Sequence, residues 1–347
     1  MQSASDNVRA MNSETSTNLF ICQPGFEPIL DQELRRDGFQ PQETGRGWIA
    51  AQGDEPADLC FAHLRMQQAA IIEASAINAM AAQLLDLFME RMHGVQLPNQ
   101  WPLFFRFADG ITGLGQRSKS VEKEFRVRLK KRMARLGRTA SAELPRGGGE
   151  TIGLFVFFTD FNRFYASTTA WSGGQRRMAD DSAAPSRSYL KTEEAFVVMG
   201  REPGEGETVV DLGAAPGGWS YSAAKRGASV VAIDNGPMKG GALDHPLIEH
   251  RRDDAFKFMP EPGETYDWLF CDLVEEPHHV ARLIEQWLKN GHCRAFVVNL
   301  KFGHANAAKL LNEVLNPRGR IQPYCQTLRV RHLFHDRDEF TLVGEVI

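Results

Sequence analysis

The sequence predicts an α/β fold: a Rossmann-like domain in the C-terminal half of the chain, preceded by an α+β region. The chain has 347 residues, of which 42% are hydrophobic and 24% charged, as is ordinary for a globular protein with two domains. Over 188–347 apolar strands alternate with helical stretches, which is typical of βαβ units around a parallel sheet. Over 18–170 short apolar runs and helical stretches are mixed without that alternation. We therefore expect a flexible polar tail over 1–17, an α+β region over 18–170, a linker over 171–187 and the α/β domain over 188–347.

The elements of the α+β region are predicted from short apolar runs and from apolar residues at helical spacing. We expect strands at Leu19–Cys22, Leu103–Phe107, Gly153–Phe158 and Arg163–Thr168, and helices at Asp31–Arg36 and Ala57–Phe88. The last two strands are separated only by a turn at 160–162, so we expect them to be neighbours in one sheet. The linker is placed where Gly173-Gly174 and a stretch without periodicity follow.

The elements of the α/β domain are predicted in the same way. We expect strands at Glu207–Leu212, Ala228–Asp234, Trp268–Leu273 and Arg294–Leu300, with helices from Gly218 and over His279–Lys289. No helix follows the last apolar run, Glu339–Val346. We therefore expect it to enter the sheet as an antiparallel strand, in a hairpin with Ile321–Arg331.

Composition and charge exclude several classes of protein. The five cysteines are scattered without a C-x-x-C pair, so neither a disulfide framework nor a zinc site is predicted. The first 17 residues lack the apolar core of a signal peptide, and charged and polar residues interrupt each apolar stretch before it could span a membrane. These features indicate a cytoplasmic protein that is not embedded in a membrane. Adjacent or isolated histidines lack further ligands at useful spacing, so we expect no metal.

A glycine-rich turn is the strongest local signal. The run Thr208–Trp219, TVVDLGAAPGGW, is an apolar strand that ends in an acid, then a turn, then a helix start. Open α/β sheets bind ligands at this edge, and glycines allow the backbone to approach a ligand closely. The following strand ends in Asp234, where a carboxylate can accept hydrogen bonds from the hydroxyls of an adenosyl ribose. Asp254 and Phe256 then supply a carboxylate and a ring for an adenine.

Two interpretations of this turn compete. A dinucleotide site is disfavoured because Ala215 stands where the second glycine of G-x-G-x-x-G belongs, and Pro216 follows it. A tight turn without a ligand is less favoured still, since two further acids end or follow later strands. We therefore predict a binding site for the methyl donor S-adenosylmethionine. The predicted contacts are Ser188, Asp211, Gly213, Ala215, Pro216, Gly217, Gly218, Trp219, Asp234, Asp254 and Asp272.

Two lysines and two carboxylates could supply the chemistry of transfer to a hydroxyl. A hydroxyl acceptor such as a ribose 2′-OH has a high pKa and needs help to lose its proton. A lysine can serve as base only if its pKa is lowered by burial or by a second ammonium. Amino-group transfer is disfavoured because Leu273 and Val274 follow Asp272 where that chemistry typically has Pro-Pro-aromatic. Transfer to cytosine C5 would need a cysteine nucleophile, and Cys271 is predicted to be a buried core residue.

The quartet Lys191, Asp272, Lys301 and Glu339, arranged in this order around the glycine turn, resembles the Lys-Asp-Lys-Glu tetrad of the FtsJ-like ribose 2′-O-methyltransferases. This resemblance implies Lys301 as general base, Asp272 beside the methyl group and holding that lysine, and Lys191 with Glu339 positioning the hydroxyl. Asp338 competes with Glu339 for the fourth place. The family fold is a mostly parallel seven-stranded sheet with an antiparallel C-terminal strand.

Further segments resemble the bacterial RlmM group of that family. They are 22–27 (CQPGFE), 185–191 (PSRSYLK), 234–238 (DNGPM), 254–258 (DAFKF) and 335–339 (HDRDE). The resemblance implies methylation of a cytidine ribose in 23S ribosomal RNA, and an N-terminal region with a THUMP domain that captures the RNA. We expect a monomer. Two alternatives remain: a non-catalytic RNA-binding or assembly factor with this fold, and a nicotinamide-dependent oxidoreductase.

One segment of the chain is strongly basic although the formal net charge is −4. The segment 117–138 contains ten lysines and arginines but only two glutamates. Apolar residues at Val121, Phe125, Leu129, Met133 and Leu136 fall on one helix face, so the basic residues should point outward. Such a patch can bind RNA phosphates. We predict Lys130, Lys131, Arg132 and Arg135 as RNA contacts.

Overall fold

The computed structural model describes residues 16–56 and 58–347, and these divide into two compact units. The first comprises the chain up to Asp58 together with Leu64–Pro145 and Glu150–Ser172. The second comprises Leu59–His63, Arg146–Gly149 and Gly173–Ile347. The tail expected over 1–17 lies almost wholly outside the described residues, and Thr17 already begins a strand.

The first unit is an α+β structure built on one mixed sheet. The sheet has nine strands within the described residues: eight follow the order β2-β3-β1-β4-β9-β8-β6-β7, and the ninth, β5, pairs with β9. The strands are β1 (Thr17–Ile21), β2 (Gln40–Gly45), β3 (Trp48–Gln52), β4 (Leu64–Gln67), β5 (Ala70–Glu73), β6 (Trp101–Phe107), β7 (Ala140–Ser141), β8 (Gly149–Asp160) and β9 (Arg163–Ser172). The helices are α1 (Glu27–Arg36), α2 (Ile77–Arg91), α3 (Leu114–Arg132) and α4 (Ala134–Thr139).

The long helix predicted over 57–88 is wrong in its first half. Two short strands, β4 and β5, precede helix α2, and both pair with β9. Leu64 and Met66 lie in the core, and so does Ile72, whereas the neighbouring Ile71 is 48% exposed. This alternation spans too few residues in each strand to outweigh the helix-favouring Leu, Met, Gln and Ala. Pairing with a neighbouring strand therefore decides the local structure.

The basic helix is also shorter than its apolar spacing predicts. Val121, Phe125 and Leu129 are fully buried on one face of α3, as expected. The helix ends at Met133, whose φ of −144° and ψ of 76° break it, and α4 follows. Met133 is 38% exposed. The apolar stripe therefore stops at Leu129 rather than continuing along one helix.

The second unit is an α/β structure, as predicted. Its sheet has seven strands among the described residues, in the order β12-β11-β10-β13-β14-β16-β15. The strands are β10 (Thr208–Leu212), β11 (Ser229–Ile233), β12 (Ile248–Arg251), β13 (Tyr266–Cys271), β14 (Cys293–Lys301), β15 (Cys325–Arg331) and β16 (Glu339–Val346). The helices are α5 (Tyr189–Met199), α6 (Gly218–Ala224), α7 (Pro277–Lys289) and α8 (Ala307–Val314).

The pairing of these strands confirms the Rossmann-like class. Strands β12, β11, β10, β13 and β14 are parallel, and β16 enters antiparallel between β14 and β15. Apolar residues on both faces of the sheet are fully buried, such as Val209 and Trp268 on one face and Val210 and Leu269 on the other, as in a parallel sheet covered by helices. The parallel strands therefore end together at one edge, where a ligand site is expected.

The stretch that we interpreted as a linker belongs to the second unit for the most part. Trp171 and Ser172 complete strand β9, and Gly173 opens the second unit. The Met178 amide donates to His335 Nε2 at 3.0 Å, and the Gly241 amide donates to the Ala183 carbonyl at 2.7 Å. These bonds attach 173–187 to the rest of this unit. In the described ranges, no helix has the length and apolar character needed to cross a bilayer.

Candidate active site

The predicted site residues lie at the carboxyl edge of the parallel sheet. Asp211 is near the end of β10, Asp272 follows β13 directly, and Lys301 is the last residue of β14. Since β10, β13 and β14 are consecutive in the sheet and parallel, their ends meet at one edge. The antiparallel partner of Lys301 on β16 is Glu339. The sheet topology therefore gathers residues that are far apart along the chain.

The turn after β10 requires glycine at two positions. Gly213 has a φ of +81°, and a Cβ there would come within 2.8 Å of the Leu273 side chain. Gly217 has a φ of +102°, and a Cβ there would overlap Ala242 and approach Met238 Sδ at 2.8 Å. Side chains at either position would be strained and would collide with neighbours. The turn leaves backbone, rather than side chains, at the sheet edge.

The carboxylate of Asp234 organises the glycine turn from the neighbouring strand. Its Oδ2 accepts a hydrogen bond from the Ala215 amide at 3.0 Å, and its Oδ1 accepts one from the Gly236 amide at 2.7 Å. A carboxylate has about four lone-pair positions, so both oxygens can still accept hydrogen bonds from hydroxyl groups. Asp234 can therefore serve both the loop and a ribose.

Asp211 is a buried acid beneath the same turn. Its side chain accepts a hydrogen bond from Ser220 Oγ at 2.6 Å through Oδ2, while Oδ1 has no hydrogen-bond partner among the described residues. Burial raises the pKa of Asp211 to about 7, against the opposing effect of the Ser220 hydroxyl. An unsatisfied acceptor in a buried position points to a donor from a ligand, because such groups are rarely left unpaired.

Three further predicted contacts lie around the turn. Ser188 Oγ is 2.9 Å from Ser186 Oγ, and the Ser188 carbonyl accepts a bond from Trp219 Nε1 at 3.0 Å. Asp254 accepts a bond from the Phe256 amide at 3.0 Å and pairs with Lys257 at 3.3 Å. The Phe256 amide, followed by Lys257, lowers the pKa of Asp254, which keeps its carboxylate ionised.

The four residues of the predicted tetrad form one continuous cluster. Lys301 Nζ donates to Asp272 Oδ1 at 2.6 Å, to the Asp272 carbonyl at 2.9 Å and to the Leu273 carbonyl at 3.2 Å. Lys191 Nζ lies 2.6 Å from Glu339 Oε1 and 3.9 Å from Asp272 Oδ1. Asp272 Oδ1 thus stands between the two ammonium groups.

Neighbouring carboxylates keep Lys191 protonated. Its side chain is 11% exposed, and burial by itself opposes the charge. The carboxylates of Asp272, Glu339 and Asp336 outweigh that effect and raise the pKa of Lys191 above its ordinary value. Lys191 can therefore act as a fixed positive charge and hydrogen-bond donor, but not readily as a base.

The geometry distinguishes Glu339 from Asp338 as the partner of Lys191. Glu339 is buried, and its Oε1 also accepts a bond from the Arg337 amide at 3.2 Å. Asp338 is exposed, and among residues 16–56 and 58–347 its carboxylate forms no ion pair. Its backbone carbonyl instead accepts the Phe302 amide at 2.9 Å. The fourth member of the cluster is therefore Glu339.

Two buried acids next to the cluster were not predicted. Glu194 is fully buried on α5, and Asp336 is 3% exposed in the turn before β16. Asp336 lies within the segment 335–339 that carries the family resemblance, but nothing in the sequence separates it from Asp338 as the inward-facing acid. The only available signal was the alternation of side chains along the strand that begins at Glu339.

The cysteines offer no nucleophile. All five are buried thiols outside any disulfide, and burial raises the pKa of Cys271 to about 12. No thiolate is therefore present at neutral pH beside Asp272. Within the described parts of the chain, no group of three or more His, Cys, Asp or Glu residues is arranged to hold a metal ion.

The predicted RNA contacts lie on the first unit, at the end of α3 and on α4. Lys130, Lys131, Arg132 and Arg135 are all exposed. Other basic residues of α3 are paired within the helix, Arg126 with Glu122 and Arg128 with Glu124, each at 2.7 Å. Such pairing reduces the charge available to a partner.

Comparison with known proteins identifies the family of this chain. Residues 184–314 match the FtsJ-like methyltransferase family. A protein of Laribacter hongkongensis (strain HLHK9) named ribosomal RNA large subunit methyltransferase M is 34% identical over 93% of this chain and 95% of its own length. A protein of the same name from Pseudomonas entomophila (strain L48) is 37% identical over 94% of this chain and 97% of its own.

The fold, the glycine turn and these matches define an S-adenosylmethionine-dependent methyltransferase with an FtsJ-like catalytic domain. The relatives match along nearly their whole length, including the first unit. The chain belongs to the ribosomal RNA large subunit methyltransferase M family.

Proposed function

We propose that this protein methylates the 2′-hydroxyl of a cytidine ribose in 23S ribosomal RNA, with Lys191, Asp272, Lys301 and Glu339 as its catalytic residues. The single observation that carries the proposal is the unbroken chain of contacts from Lys301 through Asp272 to Lys191 and Glu339. The names of the relatives support large-subunit ribosomal RNA as the substrate. A ribosomal RNA substrate fits a cytoplasmic protein, and we propose that it acts as a monomer.

The glycine turn and its acids fit S-adenosylmethionine. Gly213 and Gly217 leave backbone without side chains at the glycine turn. Asp234 has acceptor positions left for ribose hydroxyls. Asp211 Oδ1 can accept a hydrogen bond from the ligand. Ser188, the turn 215–219, Asp254 and Asp272 complete the proposed site. When bound, S-adenosylmethionine supplies an electrophilic methyl group.

Lys301 is proposed as the general base. Its Nζ donates hydrogen bonds to the Asp272 carboxylate and to two backbone carbonyls, and these three bonds fix its position. The amine then takes the 2′-hydroxyl proton as the oxygen becomes nucleophilic.

Lys191 and Glu339 are proposed to hold the ribose oxygen. The raised pKa of Lys191 keeps an ammonium in place, so it can stabilise negative charge that develops on the oxygen. Glu339 orients this ammonium at 2.6 Å and is itself fixed by the Arg337 amide. Both residues are nearly buried, so water competes little for these contacts.

The RNA is proposed to be captured by the first unit, over the region 18–170 that we expect to contain a THUMP domain. Within the described residues Lys130, Lys131 and Arg135 form no ion pair, and Arg132 has only an exposed contact of 3.7 Å with Asp86. Their charge is therefore available to phosphates. Such contacts anchor the RNA without reading its sequence.

The test is to map 2′-O-methyl groups in 23S ribosomal RNA from cells with and without the gene. One cytidine should lose its methyl group in the absence of the gene and regain it when the wild-type gene is restored. Restoration of the Lys301→Ala gene separates catalysis from RNA binding, because a non-catalytic assembly factor would not need this lysine. An unchanged methylation map, or full methylation with the variant, would refute the proposal.

A further inference from the structure

Asp336 lies buried directly beside the catalytic cluster. It belongs to the turn 332–338, which joins β15 to β16, and it is 3% exposed. Its carboxylate accepts hydrogen bonds from the Leu333 amide at 2.9 Å, from Asn299 Nδ2 at 3.1 Å and from Thr341 Oγ1 at 3.1 Å. Burying a carboxylate is costly unless its oxygens are paired in this way.

Two partners of Asp336 form the cross-strand pair next to Lys301 and Glu339. Asn299 on β14 is paired with Thr341 on β16, and the next pair on the same face is Lys301 with Glu339. Asp336 therefore bonds to the pair of side chains that lies next to Lys301 and Glu339 on the same face of the sheet. This contact limits any shift of one strand end relative to the other.

The turn that carries Asp336 is also tied to the helix that carries Lys191. Glu194, three residues after Lys191 on α5, accepts hydrogen bonds from the amides of Phe334 at 2.9 Å and His335 at 3.3 Å. It also accepts one from the Arg176 amide at 2.9 Å. The Glu194 side chain thus anchors the backbone of the turn to α5.

We propose that Asp336 is a positioning residue for methyl transfer, acting by holding the Lys191–Glu339 pair in place and by adding a negative charge beside Lys191. This inference rests on the proposed function of the cluster. Asp336 is separate from the four tetrad residues and touches no reacting atom. Its effect reaches the substrate only through Lys191 and Glu339.

The charges around Lys191 define what Asp336 adds. Lys191 is faced by Asp272 at the end of β13, by Glu339 on β16, by Asp336 from the turn and by Lys301 on β14. Burial raises the pKa of Asp336, and the ammonium of Lys191 opposes that rise. The carboxylate of Glu339 adds to the rise, the N–H groups of Leu333 and Asn299 that donate to Asp336 oppose it, and the negative charge of Asp336 raises the pKa of Lys191. Removal of this charge should lower the pKa of Lys191.

The main test is Asp336→Asn in the full-length protein, assayed on transcribed 23S ribosomal RNA with radiolabelled S-adenosylmethionine. We expect kcat to fall at least about tenfold, while KM for RNA and Kd for S-adenosylmethionine change less than about threefold. The alkaline limb of the kcat profile should move to lower pH, because Lys191 loses its proton more readily. A loss of stability alone would not move this limb.

Two variants give matched comparisons. Asp338→Asn removes the same charge from the same turn at an exposed position and should behave as wild type. Glu194→Gln weakens the anchor of the turn without removing a charge that acts on Lys191. It should lower the melting temperature and leave the alkaline limb in place.

A milder variant covers the case in which Asp336→Asn does not fold. Thr341→Val keeps the strand and removes one hydrogen bond to Asp336, so it should lower kcat about threefold with KM unchanged. Wild-type kcat in Asp336→Asn would overturn the inference, and so would wild-type kcat in Thr341→Val if Asp336→Asn does not fold. An alkaline limb of the kcat profile that moves equally in Glu194→Gln would also overturn it. If the wild-type protein itself transfers no methyl group to the RNA, the proposed function fails instead.

Discussion

Lys301 and Glu339 are direct partners across the antiparallel pairing of β14 with β16, at the edge where the parallel strands end. Their side chains meet through the two other members of the cluster, since Lys301 bonds to Asp272 and Glu339 bonds to Lys191. In the proposed mechanism the antiparallel strand has a chemical role, because it brings the Glu339 carboxylate to an edge that otherwise receives only the ends of parallel strands.

The first prediction concerns the base. Lys301→Ala should lower kcat for methyl transfer on the order of 100-fold or more, because the variant lacks the proposed base for the hydroxyl proton. The affinity for S-adenosylmethionine should remain within about threefold of wild type, since the glycine turn is untouched. Single-turnover methyl transfer and equilibrium binding measure the two effects. Lys309→Ala, at an exposed lysine on α8, is the control.

Full transfer activity in Lys301→Ala would remove this lysine from the reaction. A large loss of cofactor affinity would instead assign Lys301 to the binding site.

The second prediction concerns the cofactor. Asp234→Ala should weaken S-adenosylmethionine binding by about tenfold or more, equivalent to about 1.4 kcal/mol. The variant loses the proposed ribose contact and also the bonds that order Ala215 and Gly236. Isothermal titration calorimetry measures the affinity. Asp253→Ala, at the exposed acid before Asp254, should bind as wild type, and equal weakening in both variants would count against a specific contact.

The sheet could be predicted from the sequence because its signals are local. The strands around 207–212, 228–234 and 268–273 are apolar runs bounded by turns, and their alternation with helices determines a parallel order. The antiparallel pairing of the strand at Glu339–Val346 was expected because no helix follows this apolar run. The glycine turn could be predicted because glycines follow the apolar strand directly in the sequence. Two of them, Gly213 and Gly217, do have positive φ in the structure.

The residues of the site could be predicted only in part. Lys191, Asp272, Lys301 and Glu339 could be named through family resemblance, since each is unremarkable as a single lysine or acid. The choice of Glu339 over Asp338 needed coordinates. One residue of register decides which acid points inward, and strand register is set by pairing with β14.

The acids beneath the cluster and the strands β4 and β5 could not be predicted. Glu194 looks like any exposed glutamate of an amphipathic helix, yet it caps three backbone amides in the interior. β4 and β5 have helix-favouring residues and become strands because β9 offers free backbone groups for pairing. Both outcomes depend on contacts between distant parts of the chain, which composition and periodicity do not encode.

The third prediction concerns RNA binding. Simultaneous reversal of Lys130, Lys131 and Arg135 to Glu should weaken RNA binding and flatten the dependence of its affinity on salt, because fewer counterions are released. Filter binding at several salt concentrations measures the slope. The same number of reversals at Lys289, Lys309 and Arg318, exposed residues of the second unit, provides a control of equal net charge. Equal slopes for wild type and the first variant would show that the patch does not contact phosphates.

The fourth prediction follows from the raised pKa of Asp211. Its pKa of about 7 in the folded protein exceeds the ordinary value of 3.8, so the stability it contributes is complete below 3.8 and is lost as the pH rises through 7. The difference corresponds to about 4 kcal/mol at most, since each pKa unit is worth about 1.4 kcal/mol. In Asp211→Asn this loss should be absent. Urea unfolding at several pH values between 4 and 8, without cofactor, compares the two proteins, and parallel curves would contradict the prediction.

The last prediction concerns two buried histidines of the second unit and has the opposite sign. Burial lowers the pKa of His332 to about 4 and that of His63 to about 3. His63 Nε2 bonds to the His332 carbonyl at 2.9 Å, and the His332 ring lies 5.2 Å from that of Phe61. Both rings are neutral when folded but take up protons near pH 6.5 when unfolded. The stability they contribute is therefore present above pH 6.5 and is lost as the pH falls through about 4 for His332 and through about 3 for His63.

His332→Phe should remove the His332 share of this acid sensitivity while keeping an aromatic ring against Phe61. The variant should be less stable than wild type at pH 7, because the bond from Nε2 to the Arg337 carbonyl is lost. The difference should narrow as the pH falls from 6.5 to 4, because only wild type still loses the stability linked to this ring. Urea unfolding at pH 7, 5.5 and 4.5 measures the narrowing. A constant difference across these values would mean that His332 is protonated equally in the folded and unfolded chains.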